Sequence, residues 1–140
     1  MNYYKIFLLM LSVIIHCGFA YAEYSADVLL RMTIDSLSYD VKADTASARG
    51  VGKILQADGQ GLLSARRVAI NDARRGLLIL KRGLLEGKTI RPESVSGNVP
   101  PFTILSEDAR DGLYFVDIEV TLSDLMDEEG NKERSKDILW

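Results

Sequence analysis

Histidine and cysteine are almost absent from this sequence. It holds one of each, His16 and Cys17, and both lie within the first 22 residues. If that stretch is removed, no imidazole and no thiol remain. Disulfide staples, Cys or His zinc sites, thiol nucleophiles and a Ser-His-Asp triad are then excluded together. Proline is scarce, with three residues, and there is one tryptophan. No tryptophan or tyrosine cluster suggests a sugar cleft. Beyond residue 22 no run approaches the ~20 apolar residues that a membrane span needs. The formal net charge of −3 gives no reason to expect nucleic acid as a partner.

The first residues are an expected export signal. Lys5 supplies a short positive region, Ile6 to Phe19 an uncharged apolar run, and Ala20-Tyr21-Ala22 a small-x-small cleavage site. A retained membrane anchor is disfavoured because the run is short and no stop-transfer charges follow it. Cys17 invites acylation, but His16 places a bulky ring where a lipoprotein peptidase requires a small residue. Cleavage after Ala22 fits better and predicts a periplasmic or secreted protein, tethered to a membrane only if Cys17 is acylated. The remaining 118 residues carry sixteen basic and twenty acidic side chains, a formal −4. That length suits one domain with a single core.

Four segments follow: the signal at 1–22, a lead-in at 23–45, an α+β domain at 46–122 and a charged tail at 123–140. The lead-in is mixed, consistent with a short amphipathic helix or an extended stretch. Ala46 to Leu55 alternates small with polar residues, as a strand does, and one face carries Ala46, Ala48, Gly50, Gly52 and Ile54. A turn at Asp58–Gly61 precedes a long helix from about Leu62 to Glu86, ended by Gly87. Its predicted inward arc is Leu62, Ala65, Ala69, Ile70, Ala73, Gly76, Leu77, Leu80, Gly83 and Leu84. Small residues on both helix and strand predict close packing between them. Phe102–Glu107 and Leu113–Leu122 read as two strands joined by a loop at Asp108–Gly112. Tyr114, Val116, Ile118, Val120 and Leu122 form a core face there, with Asp117, Glu119 and Thr121 opposite. Pro100-Pro101 confines the first of these strands to an edge. The predicted fold is α+β, a long Ala-rich helix on a small antiparallel sheet in the order strand, helix, strand, strand.

Three candidate sites emerge. Gly50-Val51-Gly52-Lys53 and the Gly59/Gly61 turn suggest phosphate binding at a helix start. The full P-loop spacing is missing, however, and packing explains the glycines. Arg66, Arg67, Arg74, Arg75, Lys81 and Arg82 fall within half the helix circumference, as either a solvated face or a surface for an acidic protein, anionic lipid or polymer. Asp117 and Glu119 stand ~7 Å apart on one strand face, in range for paired carboxylate chemistry. A half-exposed strand produces the same pattern by default. The acidic run from Asp124 to Glu129 lacks the EF-hand spacing. No cofactor or metal site is expected, and no enzyme.

Three stretches resemble a known family: Ala48-Arg49-Gly50-Val51-Gly52, the run from Ala65 to Leu77, and the strand from Asp111 to Val120. Together they resemble the domain shared by small bacterial surface lipoproteins of the LPP type and the amino-terminal part of flagellar assembly protein T. There a Gly-containing strand leads into a helix with A-x-x-x-A-x-x-D-A spacing, then a glycine-led loop, matched here by Ser96-Gly97-Asn98-Val99, and a D-G-x-Y-x-V strand. The resemblance covers about residues 46–122. It implies that Gly50, Gly52, Ala65, Ala69, Ala73, Gly112 and Tyr114 are packing positions. It also implies a non-enzymatic envelope domain for assembly or protein contact, linked in one branch to the flagellar basal body. Pro100-Pro101 and the poor acylation site depart from that pattern. The expected function is therefore envelope interaction or assembly, with homo-oligomerisation open. The alternative is an anionic ligand or polymer binder using Arg67, Arg74, Arg75, Lys81 and Arg82.

Overall fold

The computed structural model describes residues 24–87 and 95–127. The expected signal, with Ala20, Ala22 and Cys17, and the stretch from residue 128 onward lie outside the described residues. In chain order the elements are α1 (Ala26–Asp35), β1 (Ser38–Asp40), β2 (Thr45–Lys53), α2 (Gly59–Glu86), β3 (Thr103–Arg110), β4 (Leu113–Thr121) and α3 (Leu122–Met126). The strands form one antiparallel sheet in the order β1-β2-β4-β3. β2 and β3 each oppose β4 and so run parallel to one another, with α2 as the crossover between them. This is the α+β arrangement of one long helix on a small antiparallel sheet.

Local chemistry sets the boundaries. The Asp58 carboxylate accepts the Gly61 amide at 2.7 Å and starts α2 three residues earlier than the apolar pattern indicates. Gly87 adopts a left-handed φ of 62° and donates its N–H to Gly83, ending the helix. Between β3 and β4 the chain reverses at Asp111 and Gly112, whose φ values are 53° and 74°. Two positive φ values match the right-handed strand twist, so the turn needs only two residues and β3 runs on to Arg110. The five-residue loop expected from 108 is thereby corrected.

β2 lies under α2 along its length. Ala46, Ala48, Val116, Ile118 and Val120 from the sheet meet Ala69, Ala73 and Leu77 from the helix, and all are buried. Leu37, Ile70, Leu80, Val99, Phe102, Ile104, Tyr114 and Leu122 pack around them. Twenty-eight helical residues reach ~42 Å, whereas nine strand residues reach ~30 Å. The end of α2 therefore overhangs the sheet. A Cβ on Gly83, expected in the core arc, would meet nothing within 4 Å. Leu62, also expected inward, is half exposed. Ile79, left out of the arc, is buried instead. It shares a side of α2 with Asp72 and Gly76, and there α1 forms a second neighbour, with Thr33 and Leu37 against Gly76.

The stretch at 23–45, expected as a lead-in, supplies α1 and an edge strand. The first residues of the expected tail form α3, whose Leu125 is buried in the central cluster. Asp44, in the turn between β1 and β2, holds that helix. Its carbonyl accepts the Leu122 amide at 2.9 Å and its carboxylate accepts the Ser123 amide and hydroxyl at 2.8 and 2.6 Å. β3 is an edge strand that begins after Pro100-Pro101, and it carries a bulge at Leu105.

Candidate functional site

The two faces of the sheet separate the candidate residues. Gly50 and Gly52 face α2 so closely that a Cβ would lie 1.8 Å from the Ala69 carbonyl oxygen and 2.0 Å from that of Ala65. The helix backbone thus occupies the space a phosphate would need. Ala65, Ala69 and Ala73 form the buried stripe directly above. The Gly61 amide, at the start of α2, is taken by Asp58. Gly112 lies in the hairpin turn, and Tyr114 pairs with Gly52 on the helix-facing side.

On the opposite face, Arg49 and Asp117 pair across β2 and β4. The guanidinium donates two hydrogen bonds to the carboxylate, at 2.7 and 2.9 Å, and the Ser106 hydroxyl donates a third at 2.5 Å. The bulge at Leu105 brings Ser106 to this register, since Ile104 pairs with Ile118 and Ser106 with Asp117. The Arg49 hydrogen bonds hold the Asp117 carboxyl below its ordinary range, against the opposing effect of partial burial. Asp117 raises the Arg49 pKa in turn. A carboxylate bound this way is fixed in its charged form and is a poor proton donor near neutrality. Glu119 stands one cross-strand row away, opposite Ser47 and Thr103. Among the described residues no group of three His, Cys, Asp or Glu side chains is placed to hold a metal.

The cations of α2 fall into two sets. Arg66 leans toward the sheet and forms a 2.6 Å ion pair with Glu107 of β3, which raises its pKa. Arg82 reaches one turn along the helix to Glu86 at 3.1 Å, and Arg75 also has a partner. Arg67, Arg74 and Lys81 enter no ion pair among the described residues. Their spacing of seven stacks them in one row on the outward side, in steps of ~10 Å. Leu63 and Leu85, both 53 % exposed, stand four residues before and after this row. It is a linear cationic strip with an apolar residue at each end. Spacing in the sequence brings these residues together, but it does not separate the engaged arginines from the rest. For Arg66 that distinction depends on Glu107, which is remote in the chain.

Asp72 escapes a reading based on charge alone. It lies among the inward small residues, three after Ala69 and four before Gly76, where a solvated acid is out of place. Its carboxylate accepts the Val51 amide at 3.0 Å and the hydroxyl of Thr33, which is buried. Ser36 does the same work one step along the strand. Its hydroxyl accepts the Arg49 amide at 2.9 Å and donates to the Thr33 carbonyl at 2.7 Å, with the Arg49 carbonyl also near at 3.3 Å. Beyond the short β1, side chains thus replace a strand along the edge of β2. No family model matches this chain, and no characterised protein matches it.

Proposed function

We propose that this chain is a non-enzymatic interaction domain of the cell envelope, acting through the outward row of α2 on an acidic segment of a partner protein. The observation that carries the reading is the row itself. Three cations without a described ion pair stand ~10 Å apart on a rigid helix, between two exposed leucines. On an isolated solvated helix, intrahelical pairs such as Arg82 with Glu86 would be the economical arrangement. The resemblance to envelope lipoprotein and flagellar assembly domains supports a contact role, and the apolar run of residues 6–19 supports export. No helix among the described residues is long and apolar enough to cross a membrane.

Charge attraction of this kind speeds encounter and weakens with salt, because the screening length at physiological ionic strength is ~8 Å. The test uses polyglutamate and anionic phospholipid vesicles as separate probes. Polyglutamate binding that falls with salt and is lost in Arg67→Glu/Arg74→Glu/Lys81→Glu supports the proposal. Binding to vesicles alone would assign the row to lipid instead. Polyglutamate binding that is absent at low salt, or indifferent to the triple reversal, would refute it.

A further inference from the structure

The two edges of the sheet differ. Beside β2, Ser36 and Asp72 take the Arg49 and Val51 amides, so side chains close that edge where β1 stops. β3 forms the other edge, and all but one of its eight residues are exposed. The Arg49 and Val51 amides turn away from β4. By the alternation of an antiparallel ladder, Phe115 and Asp117, which stand opposite them, turn toward β3 and bond to Asp108 and Ser106. Glu107 and Ala109 therefore direct their N–H and C=O groups to the free edge. An open edge of this kind is a template for a further strand.

We propose that the added strand is β3 of a second copy, paired antiparallel about a two-fold axis at Ala109. The side chains select that register. An axis at Glu107 would oppose two glutamates, and one at Asp108 two aspartates. Toward Ile104 the bulge at Leu105 interrupts the outward alternation. At Ala109 two small side chains meet, and the two backbones exchange a pair of hydrogen bonds. Asp108 then faces Arg110 of the second copy, and Arg110 faces its Asp108. Within one chain these two side chains are both more than half exposed and stand 3.5 Å apart, with Arg110 held 4.9 Å from the centre of the Phe115 ring. In the dimer the four charges alternate along the open face of the sheet. Glu107, opposite Asp111 of the second copy, keeps Arg66 as its counter-charge.

The helix layer supplies an apolar contact at the same place. α2 runs opposite to β3, and Arg66 binds Glu107. One turn back along the helix, ~6 Å, therefore matches two residues on along the strand, ~7 Å. Leu62 thus stands beside Ala109. It is 40 % exposed although it belongs to the arc expected inward, and the adjacent Leu63 is 53 % exposed. Across the axis Leu62 of each copy approaches the other above the paired alanines. The contact is isologous and closed, so it stops at two copies. Few residues take part, which makes the dimer weak and concentration-dependent. It does not rest on the acidic-partner reading, but it sets two outward rows on one side of an eight-stranded sheet and so makes that binding bivalent.

The test is sedimentation equilibrium of the processed protein over a wide range of concentration, with a monomer–dimer equilibrium expected. Ala109→Pro removes an amide that serves no bond to β4, and proline is tolerated on such an edge. It should abolish the dimer and leave the melting midpoint near that of the unaltered protein. Asp108→Arg and Arg110→Asp each set like charges face to face and should weaken association by about tenfold or more. Mixed in equal amounts, these two variants should associate again, because every facing pair is then opposite in sign. Leu62→Gln should weaken the dimer several-fold. A protein that is monomeric throughout, a dimer indifferent to a folded Ala109→Pro, or a mixture that stays monomeric would each overturn the proposal. If Ala109→Pro does not fold, the mixture still decides. A dimer lost in Arg67→Glu/Arg74→Glu/Lys81→Glu but untouched by Asp108→Arg would belong to the outward row and also refute it.

Discussion

The Asp72 carboxylate of the long helix accepts the backbone amide of Val51, at 3.0 Å, on the strand edge that β1 leaves open. The same carboxylate receives the hydroxyl of Thr33 from α1, so one side chain joins helix, sheet and lead-in. Asp72→Ala removes the acceptor from a buried hydroxyl and from a strand amide. Thr33 retains only its 3.3 Å bond to the Leu29 carbonyl. The expected loss is about 2–3 kcal/mol of unfolding free energy. Asp72→Asn keeps one acceptor oxygen and should lose about half as much. Urea denaturation with an unchanged slope and a lowered midpoint is the check. A midpoint within error of the unaltered protein would deny Asp72 this part.

The glycines of β2 and Gly83 in the helix overhang predict opposite outcomes for the same chemical change. A methyl on Gly50 would enter the Ala69 carbonyl, a backbone atom that moves only if helix and sheet separate. Gly50→Ala and Gly52→Ala should each destabilise by about 1–3 kcal/mol or more, the usual range for overpacking a core. Gly83→Ala meets nothing within 4 Å and replaces a flexible residue in a helix interior. It should stabilise by about 0.5–1 kcal/mol. Thermal melts of the three variants decide the matter, and a destabilised Gly83→Ala would show that the overhang is not solvated helix.

Much of this architecture is legible in the residues, and the gaps have physical causes. The long helix and the strand from Leu113 are strongly periodic, and the small faces of strand and helix meet. α1 and α3 are short, and their stability comes from contacts made elsewhere: Ser36 on Arg49, Leu125 in the central cluster, and Asp44 on Ser123. Such elements leave little periodic signal. Ile79, buried, lies on the side of α2 where Thr33 and Leu37 pack on Gly76, and a single inward arc toward the sheet does not include that side. The bulge at Leu105 has no signature of its own, yet it decides that Ser106 reaches Asp117. In the outward row, Arg67, Arg74 and Lys81 are visible as a spacing. The engagement of Arg66 by Glu107 requires the fold.

Acid should weaken the protein partly through the Arg49–Asp117 pair. The folded pKa of Asp117 lies below its unfolded value, chiefly because of the Arg49 hydrogen bonds. Its contribution is therefore complete above the ordinary carboxylate pKa of ~3.9 and disappears as pH falls through the lower folded value. Arg49 is 42 % exposed, so solvent screening holds the pair to under about 1 kcal/mol. Asp117→Asn should lower stability modestly at pH 7, and the difference from the unaltered protein should narrow below about pH 4. Unfolding curves across pH 2–7 test this. A gap that stays constant over the range would assign the loss to packing and not to charge.

Leu125 tests where the folded unit ends. It is 1 % exposed and touches the cluster built by Ala46, Leu77 and Val120, although an acidic sequence surrounds it. Leu125→Ala should therefore cost about 2–5 kcal/mol, as for any truncated core leucine, with the exact loss set by how far the site collapses. Asp124→Ala, one residue away and exposed, should change stability by less than about 0.5 kcal/mol. Asp44→Ala should fall between them, because it loosens α3 without emptying the core, costing about 1 kcal/mol for a lost cap. Guanidinium titrations of the three variants should rank them in that order. If Leu125→Ala proved as mild as Asp124→Ala, α3 would be an appendage, and the folded domain would close at Thr121.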